Sequence, residues 1–512
     1  MKNFHENYIL GEFIPFGGII YEKLSLETFN TAIEYFYNGK KEANGLFNAR
    51  SIKEKRDRTS IPTEQFEEYV SSLATYLHER AHFYQIPGTP IGIFLFKTHI
   101  LRSAFMEYSF LRLKQNSLIT GEKLSYVPIT LWSQLIQNNI VTSNNGALLK
   151  ELMGYWDQIT QYQNILLGTS MTNIKVAIES LSAFRDQVSK IVDVYFDGAK
   201  DVEYPKITSN LDKNSYSIPD KRLSTLSIIE GYAKLIEIQA KTELYDDPNE
   251  YIKTGRKYNR VYIDAIDYIF EKLGRVDRQT ALGILDFSLF SPIDKLFCPL
   301  LKIEVVWEDI CPGFRLKKIV DCLISKPMYV EKLDFLSFYE KLSDVLDWPS
   351  PTEMLKRIKD IKMEDNQLHL ALEKSKNVGE NRESRSIAEP YMFKLSNEMA
   401  DKRLRHKEFV GNPYQILLNR SELIHPFITI TAEKTIFGDN LGFDTVDLYA
   451  SISRYFMLLD AFSSGHDQYF PKTESFFKGI FRKDYNRDFL NKQLKEFFYP
   501  LTILPINNII TK

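Results

Sequence analysis

The sequence predicts a mainly α protein with a small β element, and three observations lead to that class. Apolar residues recur at spacings of three and four through most of the chain, as in Phe66, Tyr69, Leu73, Tyr76 and Leu77, and again over residues 147–196. Prolines punctuate such runs: Pro292, Pro299, Pro312, Pro327 and Pro349-Ser350-Pro351 separate helices between about 278 and 372. β-favouring residues beside a turn signal occur together in residues 8–22, around Gly17-Gly18.

In chain order, residues 8–22 read as a short hairpin and 26–37 as a helix. Residues 40–61, which include Lys53-Glu54-Lys55-Arg56-Asp57-Arg58, are polar and basic and read as a solvated loop. Helical spacing sets in at Pro62, and Pro87-Gly88 closes that segment. A second long helix over 90–115 carries Glu107 and His99, the latter read as a core histidine instead of a ligand. Residues 131–137 and 147–196 add helices, interrupted near Gly168-Thr169-Ser170. Gly198, Pro205, Asn210 and Pro219 then break the pattern before a helix around residues 227–237. An amphipathic helix over 249–273 ends at Gly274. After the proline-punctuated helices, residues 373–385 are polar, mixed in charge and Gly-containing, the composition of a linker. Aromatic-rich helices follow at 448–462 and 486–498. Four regions result: 1–275, with a helical insertion at about 90–215; a helical region 276–372; a linker or mobile loop 373–388; and a C-terminal helical region 389–512.

With 512 residues, two or three domains are expected. The 65 Lys and Arg nearly balance the 67 Asp and Glu, so no field gathers nucleic acid or an anionic membrane. Charged or polar residues interrupt every apolar run short of spanning length, and residues 1–7 lack the basic-then-apolar pattern of a secretory signal; a cytoplasmic protein is expected. Cys298, Cys311 and Cys322 show no C-x-x-C spacing and read as buried apolar residues.

Chemistry is concentrated in His78-Glu79-Arg80-Ala81-His82, a match to H-E-x-x-H. On a helix His78 and His82 stand one turn apart on one face, so both imidazoles reach a single Zn²⁺ while Glu79 lies beside the open coordination position. With eight histidines in 512 residues, a chance match is expected on the order of once in a hundred such chains. Zinc held by three protein groups keeps a fourth position for a water of lowered pKa, and a neighbouring carboxylate serves as general base.

Two histidines need a third ligand, and residues 227–237 offer one. Glu230-Gly231-Tyr232-Ala233 on a helix downstream of H-E-x-x-H resembles the third-ligand helix of the gluzincin metallopeptidases. The resemblance implies a zincin-like catalytic core with large helical additions, and a small sheet ahead of the active helix whose edge strand holds substrate. It implies His78, His82 and Glu230 as ligands of Zn²⁺ and Glu79 as general base, with Gly231 and Ala233 small where the second helix packs closely on the first. Glu237, two turns along the same face, is the substitute ligand. A spacing of about 150 residues from His82 to Glu230 requires a large insertion to loop out. Lys234 stands where thermolysin-like members carry an acid, and the metzincin pattern is not met at Gln85 and Gly88. Arg80 is expected to point to solvent or to pair with an acidic group.

These features lead to a cytoplasmic zinc-dependent peptidase that hydrolyses a peptide bond in a protein or peptide substrate, with a narrow substrate range or regulated activity. No oxyanion-stabilising residue is identified. His406, His425 and His466 read as surface histidines, although His466 would be a donor if its loop folded over the cleft. The contrasting reading is a helical interaction protein with a structural or vestigial zinc site; a hydrolase of a non-peptide amide is a third. A fourth coordination position closed by protein marks a structural metal, and one open beside Glu79 a catalytic one.

Overall fold

A computed structural model describes residues 11–14, 19–22, 62–93, 95, 137, 146–154, 207–208, 220, 222–245, 260–274, 276–291, 305–360, 382–406, 428–430 and 435–437. These residues are mostly helical. The elements expected at 26–37, 40–61, 448–462 and 486–498 lie outside them, as do most of 90–115 and 147–196 and the residues His99, Glu107, Cys298, His425 and His466.

The central helix, α1 (Thr63–Gln85), buries Phe66, Val70, Leu73, Ala74, Leu77 and Ala81, a continuous stripe at spacings of three and four. Glu64 in its first turn complements the helix dipole, and the Ile86 N–H closes the last turn on the His82 carbonyl at 2.9 Å. The chain then folds tightly over 86–93. A Cβ on Gly92 would lie 1.7 Å from the Ile86 carbonyl oxygen, so no larger residue fits without moving backbone.

The stripe packs on α2 (Thr225–Tyr245), whose start is fixed by Ser224: its Oγ accepts from the Ser227 N–H at 2.9 Å. The far side of α2 is covered by α3 (Asp264–Leu273), α4 (Arg278–Phe287) and α5 (Pro312–Ser325). Three residues, Arg260–Tyr262, form a 3-10 turn on α2 ahead of α3. Gly231 does not mark the close approach to α1 that the sequence leads one to expect. A Cβ there would meet Ile266 at 3.4 Å, Ala265 at 3.7 Å and Leu285 at 3.8 Å, ordinary contacts on the α3 and α4 side. Ala233 is fully buried between Glu230 and Glu237 on the other side.

Next come α6 (Phe335–Leu346), α7 (Pro351–Asp360) and α8 (Arg382–Arg405), each packed on its predecessor. Helix α8 takes in the last residues of the polar stretch 373–388. Near its end Arg403 forms a fully buried bidentate pair with Asp286 of α4, Nη1–Oδ2 2.7 Å and Nη2–Oδ1 3.0 Å, and the Tyr339 hydroxyl donates to Asp286 Oδ2 at 2.9 Å. Cys311 and Cys322 are buried thiols, both pushed up in pKa by burial, Cys311 to about 11.

Strands β1 (Gly11–Ile14) and β2 (Ile19–Glu22) pair antiparallel and lie against α1. Beside β2 runs β3 (Ile428–Ile430) in parallel, followed by antiparallel β4 (Thr435–Phe437), so one sheet joins segments from both ends of the described chain. A two-residue parallel bridge links Ile207–Thr208 to Val305–Val306.

Candidate metal centre

Helices α1 and α2 meet at three side chains. His78 and His82 lie one turn apart on α1 with rings nearly perpendicular, centroids 4.9 Å apart, and their Nε2 atoms approach to 3.2 Å. Glu230 of α2 brings Oε2 to 3.3 Å from each of those nitrogens. Four ligands arranged tetrahedrally about 2.0–2.1 Å from a Zn²⁺ are separated by about 3.3–3.4 Å. The three atoms therefore already stand at the edge lengths of such a polyhedron, and two imidazole nitrogens with one carboxylate oxygen make a donor set suited to zinc. Among the described residues this is the one convergent group of metal-ligating side chains.

Glu79 is buried at 5% exposure and its charge acts on His78, yet its carboxylate is not part of the convergent group. Both imidazoles are similarly buried, and the Glu230 side chain keeps 19% of its surface. The Tyr262 ring lies 5.8 Å from that of His78, tilted by 57°.

The protonation states follow from these contacts. Burial opposes the His78 cation, but Glu230 and Glu237 outweigh it and push its pKa up to about 10. Burial dominates at His82, which is pushed down. Burial alone would raise the Glu230 carboxyl; the two imidazoles beside it reverse that and hold it well below the usual carboxylate range.

Glu237 is not in the ligand group. Its Oε2 faces the opposite edge of the His78 ring, 3.4 Å from Nδ1, and its Oε1 takes Lys234 Nζ and Lys241 Nζ, each at 2.8 Å. Lys234 is therefore a buried ion-pair partner within the site's supporting shell. Arg80, for which solvent or an acidic partner is expected, is instead buried, its guanidinium donating to the Tyr76 and Tyr84 hydroxyls on either side along α1. Both tyrosines sit four residues from Arg80, a spacing visible in the sequence. The periodicity that singles out Glu237 as the substitute ligand also places Lys234 and Lys241 beside it; only the structure shows which edge of His78 it meets. His406 follows α8, its N–H on the Lys402 carbonyl, and belongs to no metal-ligating group among the described residues.

Fold and site together define a mainly helical protein with a buried cluster of two histidines and one glutamate, carried by two packed helices. Comparison of the chain with protein-family models, with curated proteins and with solved structures finds no match in any of the three.

Proposed function

We propose that the chain is a zinc-dependent peptidase of gluzincin type, with a zincin-like core built on α1, α2 and the small sheet. The observation that carries the reading is the convergence of His78 Nε2, His82 Nε2 and Glu230 Oε2 at 3.2–3.3 Å, with the H-E-x-x-H glutamate beside the group and outside it. Zn²⁺, when bound, supplies Lewis acidity that polarises a carbonyl oxygen and lowers the pKa of a water towards neutrality. His78, His82 and Glu230 hold the ion, and the packing of α1 on α2 fixes the separation of their donor atoms. Glu79 takes a proton from water on its carboxylate and returns it to the leaving amide nitrogen. Substrate is a protein or peptide, and the burial of the site limits which chains reach it. That fits a narrow substrate range in a cytoplasmic enzyme.

One observation favours the other class. His78, His82 and Glu79 are each only 5–6% exposed, the environment expected of a structural zinc in a helical interaction protein. Glu79→Gln separates the two. Under the peptidase reading this variant folds, retains its zinc and loses on the order of a hundredfold or more in cleavage of a proteome-derived peptide mixture. Equal cleavage by both forms overturns Glu79 as the base, and none by the wild type gives the site to the structural reading. Loss of zinc from the variant makes Glu79 a ligand.

A further inference from the structure

Seven residues beyond Glu230, Glu237 occupies an unusual position for a buried carboxylate. Two lysines of the same helix hold one of its oxygens, Lys234 from the turn before and Lys241 from the turn after, and the other oxygen faces His78 Nδ1 at 3.4 Å. That nitrogen is buried and has no aligned hydrogen-bond acceptor, while the ring's other nitrogen points into the metal cluster. The Nδ1 of His82 is likewise buried and unbonded, and among the described residues no ion pair to it is seen, so there the two histidine ligands are supported unequally.

We propose that Glu237, clamped by Lys234 and Lys241, is a positioning residue for the metal centre: it fixes the ring of His78 with the proton on Nδ1 and the lone pair on Nε2 aimed at the ion. A ring free to flip would present either nitrogen; a carboxylate on one edge selects the tautomer and raises the basicity of the other nitrogen. The lysine clamp has a second consequence. With Oε1 already engaged twice, Glu237 is held on the outer edge of His78 and does not rotate inward to replace Glu230. The lysine one turn past the third ligand and the acid two turns past it therefore act as one unit.

The proposal rests on the metal-binding part of the peptidase reading and is independent of catalysis. Its test measures zinc affinity by competition with a chromophoric chelator for the full-length wild type and for Glu237→Gln. Loss of about 10–100-fold, with the far-UV circular dichroism of the metal-free protein unchanged, is the expected result. Equal affinities overturn the proposal while leaving the metal site standing; a wild type that binds no zinc sinks the metal reading itself. Because Glu237→Gln removes the carboxylate that two buried lysines share, the variant Lys234→Met, Lys241→Met with Glu237→Gln is measured beside it, with the same loss expected. The wild type supplies a readout that needs no substitution. In ¹⁵N-labelled, zinc-loaded protein the His78 signals should show a protonated Nδ1 and a metal-bound Nε2, and coordination through Nδ1 overturns the assignment.

Discussion

Under the proposed zinc reading, a proton and the ion would compete for one lone pair at Nε2 of His78. The metal-free site holds that proton up to a pKa of about 10, because Glu230 and Glu237 more than offset the burial that opposes the cation. Zinc uptake at about pH 7.5 should therefore release about one proton, and apparent affinity should climb about tenfold per pH unit from neutrality towards pH 10. Calorimetry in two buffers of different ionisation enthalpy reads the proton directly; uptake with no release contradicts the assignment. For the metal-free fold the sign is opposite. A pKa raised from 6.5 to about 10 adds stability that is whole below pH 6.5 and is lost as pH rises towards 10, while His82, pushed down, adds stability above its ordinary pKa and loses it as pH falls. The pairing of His78 with His82 was legible because one helix turn and residue chemistry specify it. The supporting role of Glu237 was not, since the same periodicity serves a ligand and a ligand's neighbour equally well.

Helix α1 was readable nearly to its ends, because its buried stripe of six residues repeats without a break from Phe66 to Ala81. The glycines were harder, for a glycine's reason lies in what faces it. Gly231 meets only ordinary contacts from α3 and α4, so Gly231→Ala should be tolerated and should stabilise α2 by up to about 1 kcal/mol through helix propensity. Gly92 faces the Ile86 carbonyl at a distance no Cβ tolerates, and Gly92→Ala should cost about 1–3 kcal/mol or more by forcing backbone aside. Denaturant unfolding of both variants, read as midpoint shifts at constant slope, checks the contrast. A destabilised Gly231→Ala beside a neutral Gly92→Ala would reverse the assignment of which glycine the packing needs.

For the molecule as a whole, the stop at Gly274 reads in the sequence as a region boundary. There the Gly274 N–H caps α3 on the Phe270 carbonyl with φ +68°, and the chain starts α4 at Arg278 to pack on α2. Periodicity announces where a helix ends, not whether the next one joins the same core. Among the described residues a long-range tie is the buried Arg403–Asp286 pair, which spans 117 residues and sets the Arg403 guanidinium beside Gly88, just past the end of α1. Arg403→Met should cost about 3–5 kcal/mol, because Asp286 is left charged and buried. Adding Asp286→Asn should return much of it. Additive losses in the double variant would show that the two do not act as a pair.

Zinc K-edge X-ray absorption on the wild-type protein, purified without chelator and quantified for metal, tests the centre most directly. The account predicts about one zinc per chain with two imidazoles and the remaining first-shell atoms oxygen, all at about 2.0–2.2 Å. A sulfur or a third imidazole in the first shell, or a protein that takes up no zinc when it is supplied, contradicts it.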